Sequence, residues 1–187
     1  MMQKPRQQFL KELKAYGIKM NIPNISEQTA EILQFFISMH RPKNVLEIGA
    51  ANGYSTIHIA SALEEIGSKM ASYEISEPSY EQAKKNIEKC GLRSIVHLHF
   101  GDALRLLKGS REKFDLIFLD ARKAHYHLFW ELNKSVMHKG ALVIVDDVIK
   151  FAEKTREFQK VIDKEKDFMK IIIPVDGDDG LMVIRRK

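Results

Sequence analysis

The sequence predicts an α/β fold: a Rossmann-like, doubly wound, seven-stranded and mostly parallel sheet closed by an antiparallel C-terminal hairpin. Three observations predict it. From residue 45 to 166, short apolar runs alternate with segments of helical period. Two of those runs, 114–119 and 141–145, are apolar almost throughout, as strands covered on both faces are. The last two, 169–175 and 181–185, are separated only by Asp176-Gly177-Asp178-Asp179-Gly180. That is too short for a helical crossover, so the pair must run antiparallel.

Taken in order, residues 6–16 read as a short amphipathic helix with Phe9, Leu10 and Leu13 on one side. Ser26, followed by Glu27 and Gln28, is a good N-cap for a second helix whose Ile32, Leu33, Phe36 and Ile37 share a face and which Pro42 ends. Strand 45–48 follows, then helix 54–66 with Ile59, Leu63 and Ile66 in step and Gly67 closing it. Strand 70–75, helix 79–90, strand 95–100 and a short helix near 104–107 come next. Strand 114–119 leads to helix 125–137, which carries Tyr126, Phe129, Trp130, Asn133 and Met137 on one side. Strand 141–145, helix 153–166 and the hairpin complete the chain.

At 187 residues and 44% hydrophobic composition the chain can bury one proper core, and it reads as a single domain, with an N-terminal helical segment at 1–41 and the core at 42–187. No run has the length of a membrane span and the start lacks a signal-peptide segment, so no membrane partner is expected. The single cysteine, Cys90, excludes an internal disulfide framework and a cysteine-rich metal site, and a reducing cytoplasmic location is the expectation. The net charge of +5 is uneven: residues 1–20 carry +4 and the last three +3, which leaves the body at −2. Such termini permit nucleic acid without indicating it.

The organising stretch is Asn44 to Ser55, a strand that breaks at Gly49 and Gly53 and runs into a helix. Its Glu-x-Gly-x-x-x-Gly spacing is not that of a dinucleotide loop, and no lysine is present to make it a P-loop. A turn that carries a carboxylate and no cation suits a cationic or neutral ligand rather than a phosphate. In a doubly wound sheet ligands bind outside the carboxyl ends of the strands. There the sequence places Glu47 and Gly49, Glu74, Asp102, then Asp120 with Arg122 and Lys123, then Asp146 and Asp147. Glu74 can accept from two ribose hydroxyls and Asp102 from an exocyclic adenine amine. Asp120, Asp146 and Asp147 offer three hard oxygen donors suited to Mg²⁺. Lys123 could accept a proton from a substrate hydroxyl if its site lowered its pKa.

Together, residues 45–55, Glu74, Gly101-Asp102-Ala103, residues 114–123 and residues 140–148 resemble class I S-adenosylmethionine-dependent methyltransferases. The chain is similar in particular to the metal-dependent catechol and caffeoyl-CoA O-methyltransferases, whose bacterial relatives include the tRNA 5-hydroxyuridine methyltransferase. The resemblance implies that Glu47, Gly49, Ala50, Gly53 and Ser55 line the methionine end of the cofactor. It implies that Glu74 holds the ribose, Asp102 and Ala103 the adenine, and Asp120, Asp146 and Asp147 a divalent metal, with Asp120 also beside the cofactor. Lys123 would be the general base and a homodimer the assembly. The chain departs from the family in carrying Asp146-Asp147 where Asp-Asn is usual, and in Arg122 where an acid or aromatic residue is common. The implied reaction is methyl transfer to a hydroxyl of a small catechol-like or diol acceptor. The alternatives are a tRNA 5-hydroxyuridine and, in another class, a catalytically silent RNA- or partner-binding module.

Overall fold

The computed structural model describes residues 4–187. Two helices come first, α1 (Lys4–Lys19) and α2 (Glu27–His40), followed by β1 (Asn44–Ile48), α3 (Tyr54–Ile66), β2 (Lys69–Glu74), α4 (Glu77–Lys89) and β3 (Val96–Phe100). The chain continues with α5 (Ala103–Leu106), β4 (Phe114–Leu119), a 3-10 turn at Lys123–His125, α6 (Tyr126–Val136), β5 (Met137–Val145), α7 (Ala152–Lys164), β6 (Phe168–Val175) and β7 (Asp179–Arg186). The strands form one sheet in the order β3-β2-β1-β4-β5-β7-β6. β1 to β5 pair in parallel, while β7 runs antiparallel to both β5 and β6, as the short Asp-Gly turn demands. The strand order reverses between β1 and β4. Among the described residues no helix is long and apolar enough to cross a membrane. The expectation about the leader includes residues 1–3, which lie outside the described ones.

Each face of the sheet has its own core. One joins Leu10, Leu33, Ile37, Ile57, Leu63 and Ala83 from α1 to α4 with Val45, Leu116 and Ile144 from the strands. The other packs Tyr126, Trp130, Phe158 and Ile162 from α6 and α7 against Leu46, Ile117 and Val143. Ser26 caps α2 as its position suggests, accepting from the Thr29 N–H at 2.9 Å, and Gly67 closes α3 in the left-handed conformation.

Most element boundaries shift by one or two residues from the sequence reading, and three places carry a physical reason or a larger change. α1 runs from Lys4 to Lys19, longer than 6–16, and Arg6 near its start is buried as an anchor. The Arg6 guanidinium donates to Ser61 Oγ at 3.2 Å and Glu64 Oε2 at 2.8 Å on α3, and to the Cys90 carbonyl at 2.9 Å. α6 stops at Val136 and β5 begins at Met137, not at 141, because the β4–β5 ladder contains an irregularity. Phe114 pairs with Met137 while Leu116 pairs with Leu142, and the surplus residues are taken up around Gly140 at φ 80°. α7 ends at Lys164, two residues early, where the chain turns extended at Glu165.

Candidate active site

β1 ends in a turn that only particular residues can make. Gly49 has φ +103°, and a Cβ there would sit 2.0 Å from the Asp120 carbonyl oxygen, so glycine lets the ends of β1 and β4 close on each other. The Gly49 N–H donates to the Tyr73 carbonyl at 2.9 Å, and Asp120 N–H to the Ile48 carbonyl at 3.0 Å, tying three strand ends together. Gly49→Ala is therefore expected to cost about 2–4 kcal/mol, from left-handed backbone strain and the clash together, and to loosen ligand binding in step. Thermal melting with and without ligand measures both, and an unshifted midpoint contradicts the closure.

A cavity of about 440 Å³ opens over these strand ends, a size suited to a small organic ligand. Gly49, Glu74, Asp102, Ala103, Asp120 and Lys123 all line it. Both Glu74 oxygens already accept one backbone N–H, from Ala51 and from Ser76, each at 2.8 Å, which fixes the carboxylate and leaves each oxygen a second lone pair. Asp102 caps α5 by accepting from the Leu104 N–H at 2.9 Å through one oxygen.

Beside it lies a second cavity of about 310 Å³, lined by Asp120, Asp146 and Asp147 together with Lys14, Phe151 and the hairpin acids. One carboxylate oxygen from each of Asp120, Asp146 and Asp147 falls within 4.8 Å of the others. Burial raises the Asp146 pKa, and the charges of Asp120 and Asp147 raise it further. Burial also raises that of Asp147, which shares a carboxyl hydrogen bond with Asp179. Three acids crowded in this way are short of positive charge, and an all-oxygen donor set of this size fits a hard divalent cation.

Lys123 supplies part of that charge. Its Nζ lies 2.8 Å from Asp120 and 2.5 Å from Asp147. Burial acts to lower its pKa, but the charge and hydrogen bond of Asp120 and the bond to Asp147 outweigh burial and hold it above the ordinary lysine value. In this arrangement Lys123 is an ammonium and has no lone pair with which to accept a proton.

Not all the residues expected at the site face the cavities. Glu47 is wholly buried beneath the turn, and its oxygens accept from Ser55 Oγ at 2.7 Å, Thr56 Oγ1 at 2.6 Å and Ser72 Oγ at 2.5 Å. Its carboxylate and Ser55 thus hold β1, β2 and α3 together and do not line either cavity. Ala50 is buried as well, and Gly53 faces Ala83 of α4.

The O-methyltransferase family profile matches residues 2–187. The chain belongs to the O-methyltransferase family. It is 33% identical to a catechol O-methyltransferase of Niastella koreensis over 68% of this chain and 59% of that one. It is 29% identical to caffeoyl-CoA O-methyltransferase 1 of Eucalyptus globulus over 75% of this chain and 59% of that one. These matches span less than two thirds of the curated relatives' length. The fold superposes on an O-methyltransferase from Bacillus cereus, crystallised in complex with SAH, with a TM-score of 0.86 and 27% identity over 95% of this chain and 90% of that one.

Within this family fold, sequence reasoning missed several residues at the site. Pro23, in the link between α1 and α2, lines both cavities. The Lys14 ammonium holds that link by donating to the Asn24 carbonyl at 3.3 Å and to the Ile25 carbonyl. Asp176, Asp178 and Asp179 read as turn residues in the sequence, yet the hairpin brings all three to the second cavity. The density of acids in that turn, three in five residues, was the available signal.

Proposed function

We propose that the chain is an S-adenosylmethionine-dependent O-methyltransferase, with the cofactor in the larger cavity and a small hydroxylated, catechol-like or diol acceptor in the smaller one. The observation that carries this reading is the contact of the two cavities at Asp120, which lines both. Donor and acceptor would meet there, and transfer between aligned groups depends first on such placement.

Glu74, held by the Ala51 and Ser76 amides, would take the ribose hydroxyls on its free lone pairs. Asp102 and Ala103 would take the adenine, and Gly49 the backbone side of the methionine portion. When bound, S-adenosylmethionine supplies a sulfonium-activated methyl group. Asp120, Asp146 and Asp147 would hold a divalent ion, Mg²⁺ by their oxygen chemistry, and its Lewis acidity lowers the pKa of an acceptor hydroxyl. Lys123 balances the charge of Asp120 and Asp147 and positions both carboxylates. It must release them before it can take a proton from an acceptor, so its role as a base belongs to a rearranged site. The loop holding Pro23 and the Phe151 ring wall off the acceptor side.

The acids at Asp176, Asp178 and Asp179 on the rim of the acceptor cavity oppose a phosphate backbone, which favours a small acceptor over tRNA. A cytoplasmic location belongs to the same proposal.

Titration calorimetry tests the cofactor assignment. S-adenosylmethionine should bind the wild type, and Glu74→Ala should weaken binding by at least about a hundredfold, the lower end of a lost pair of charge-assisted hydrogen bonds. Absence of binding to the wild type would leave only a silent module. Mass spectrometry of catechol reactions run beside tRNA nucleoside digests then assigns the acceptor. A methyl ether appearing only on uridine would overturn the small-molecule reading.

A further inference from the structure

β3 forms one edge of the sheet and pairs only with β2. Its sequence, Val96-His97-Leu98-His99-Phe100, puts two imidazoles on one face, because alternate residues of a strand point the same way. Val96 and Leu98 pack into the core under α1 to α4, and both histidines are exposed on the other side. β2 shapes the ground beside them. Ala71, the ladder partner of His97, contributes only a methyl group. The Tyr73 ring stacks on His99, with centroids 4.6 Å apart and planes 15° from parallel. A cavity of about 370 Å³ lies over this face, lined by both histidines and by Glu112 from the segment that leads into β4. Asn44 and Lys69 also line it, so it lies towards the amino ends of β1 and β2, away from the two cavities at the carboxyl ends.

The two rings are free for ligation. His40 and His58 each have a ring nitrogen engaged, with the Asp115 carbonyl and the Gln34 amide. Among the described residues His97 and His99 have no such partner. Burial lowers the His99 pKa, which keeps its ring neutral near neutral pH with a lone pair to offer a metal. After burial, the next influence on both His99 and Tyr73 is the charge of Glu112, which sets that carboxylate close to the stacked pair.

We propose that His97, His99 and Glu112 bind a divalent transition ion, Zn²⁺ by their donor set of two imidazole nitrogens and one carboxylate, with water in the fourth position. Residues i and i+2 of a strand stand about 7 Å apart. Two imidazoles at that spacing converge on an ion about 2 Å from each ring nitrogen. Among the described residues only the aspartate cluster already gathers three ligand atoms within 4.8 Å, so Glu112 closes on the ion by turning its exposed side chain. Nitrogen donors separate the two sites chemically: the all-oxygen aspartates suit Mg²⁺, and this pair suits zinc. Lys69 is exposed on the same rim, and its charge acts on the ion only through screening solvent. The ion ties the edge strand to the segment entering β4 and holds the His99 ring against Tyr73. Tyr73 also lines the larger cavity, so the zinc site and the proposed cofactor seat share one ring.

Calorimetric titration of the intact chain with ZnCl₂, in excess Mg²⁺ to occupy the aspartates, should show one ion per chain with micromolar affinity. His97→Gln and His99→Gln should each weaken binding by at least about a hundredfold, the upper end of what loss of an outer-shell partner costs, and Glu112→Gln by about tenfold. All three side chains are exposed, so unchanged melting curves without Zn²⁺ confirm that the fold is intact. Asp146→Asn should leave zinc binding as it is. Cu²⁺ at less than one equivalent gives an independent readout: its paramagnetic resonance spectrum should show coupling to two imidazole nitrogens in the wild type and to one in either histidine variant. Absence of Zn²⁺ binding, binding lost in Asp146→Asn, a titration unmoved by any of the three glutamine substitutions, or a Cu²⁺ spectrum indifferent to both histidine variants would each overturn the proposal.

Discussion

Asp146→Asn is expected to lower methyl transfer by at least about a hundredfold, since loss of Lewis-acid assistance removes several kcal/mol of transition-state stabilisation and each 1.4 kcal/mol is a factor of ten. An excess of chelator should do the same to the wild type. Stability should move the other way. Asp146 is almost wholly buried beside Asp120 and Asp147, which raises its pKa to about 8, so the metal-free wild type must take up a proton on folding that asparagine does not need. The variant should therefore melt above the wild type in chelator, while only the wild type should gain stability when Mg²⁺ is added. Cofactor affinity should hold, because Asp146 lines the acceptor cavity and not the larger one. Full activity in chelator, or an equal Mg²⁺ shift in both proteins, would remove the metal from the mechanism.

Glu47 should give the protein an unusual dependence on pH. Burial, only partly offset by the hydroxyls of Ser55, Ser72 and Thr56, pushes its pKa from 4.5 up to about 7. Between those values the folded chain holds a proton that the unfolded chain has lost. Stability from this group is complete below pH 4.5 and falls as pH rises through 7, by about 3 kcal/mol at 1.36 kcal/mol per pKa unit. Glu47→Gln cannot ionise. Its stability relative to wild type should rise by that amount between pH 4 and 8, as read from paired urea denaturation curves. Parallel curves would show that Glu47 titrates as it does in the unfolded chain. Glu47→Ala is a different perturbation, since it leaves three buried hydroxyls without their acceptor, at about 1–3 kcal/mol for each one that finds no other partner.

The fold was legible in the sequence because its signals are local. A helix cap such as Ser26, a terminating glycine such as Gly67 and an almost wholly apolar strand such as residues 114–119 each act within a few residues. The Asp120–Asp146–Asp147 cluster was legible for a related reason: in a doubly wound sheet, neighbouring strand ends are neighbours in space. What stayed hidden depends on side-chain direction or on distant folding. Glu47 stands one residue from the end of β1, and that single step turns it under the turn towards Ser72 and not into the cavity. The ion pairs of Lys123 with Asp120 and Asp147 were hidden because spacing alone says nothing of which carboxylates meet its ammonium. Pro23 and the hairpin acids reach the site only after the ends of the chain have folded back over the sheet.

Asp120 carries one further consequence. Its carbonyl abuts Gly49, its carboxylate meets Lys123, and both cavities share it. In the proposed arrangement, the distance between donor and acceptor is thus gauged by the backbone of two adjoining parallel strands. The acceptor's outer surroundings come from the link holding Pro23 and from the Asp176–Asp179 turn, which surface variation can reshape without disturbing that gauge. In that arrangement, substitutions in those two segments should change which hydroxyl is accepted and leave the transfer geometry as β1 and β4 set it.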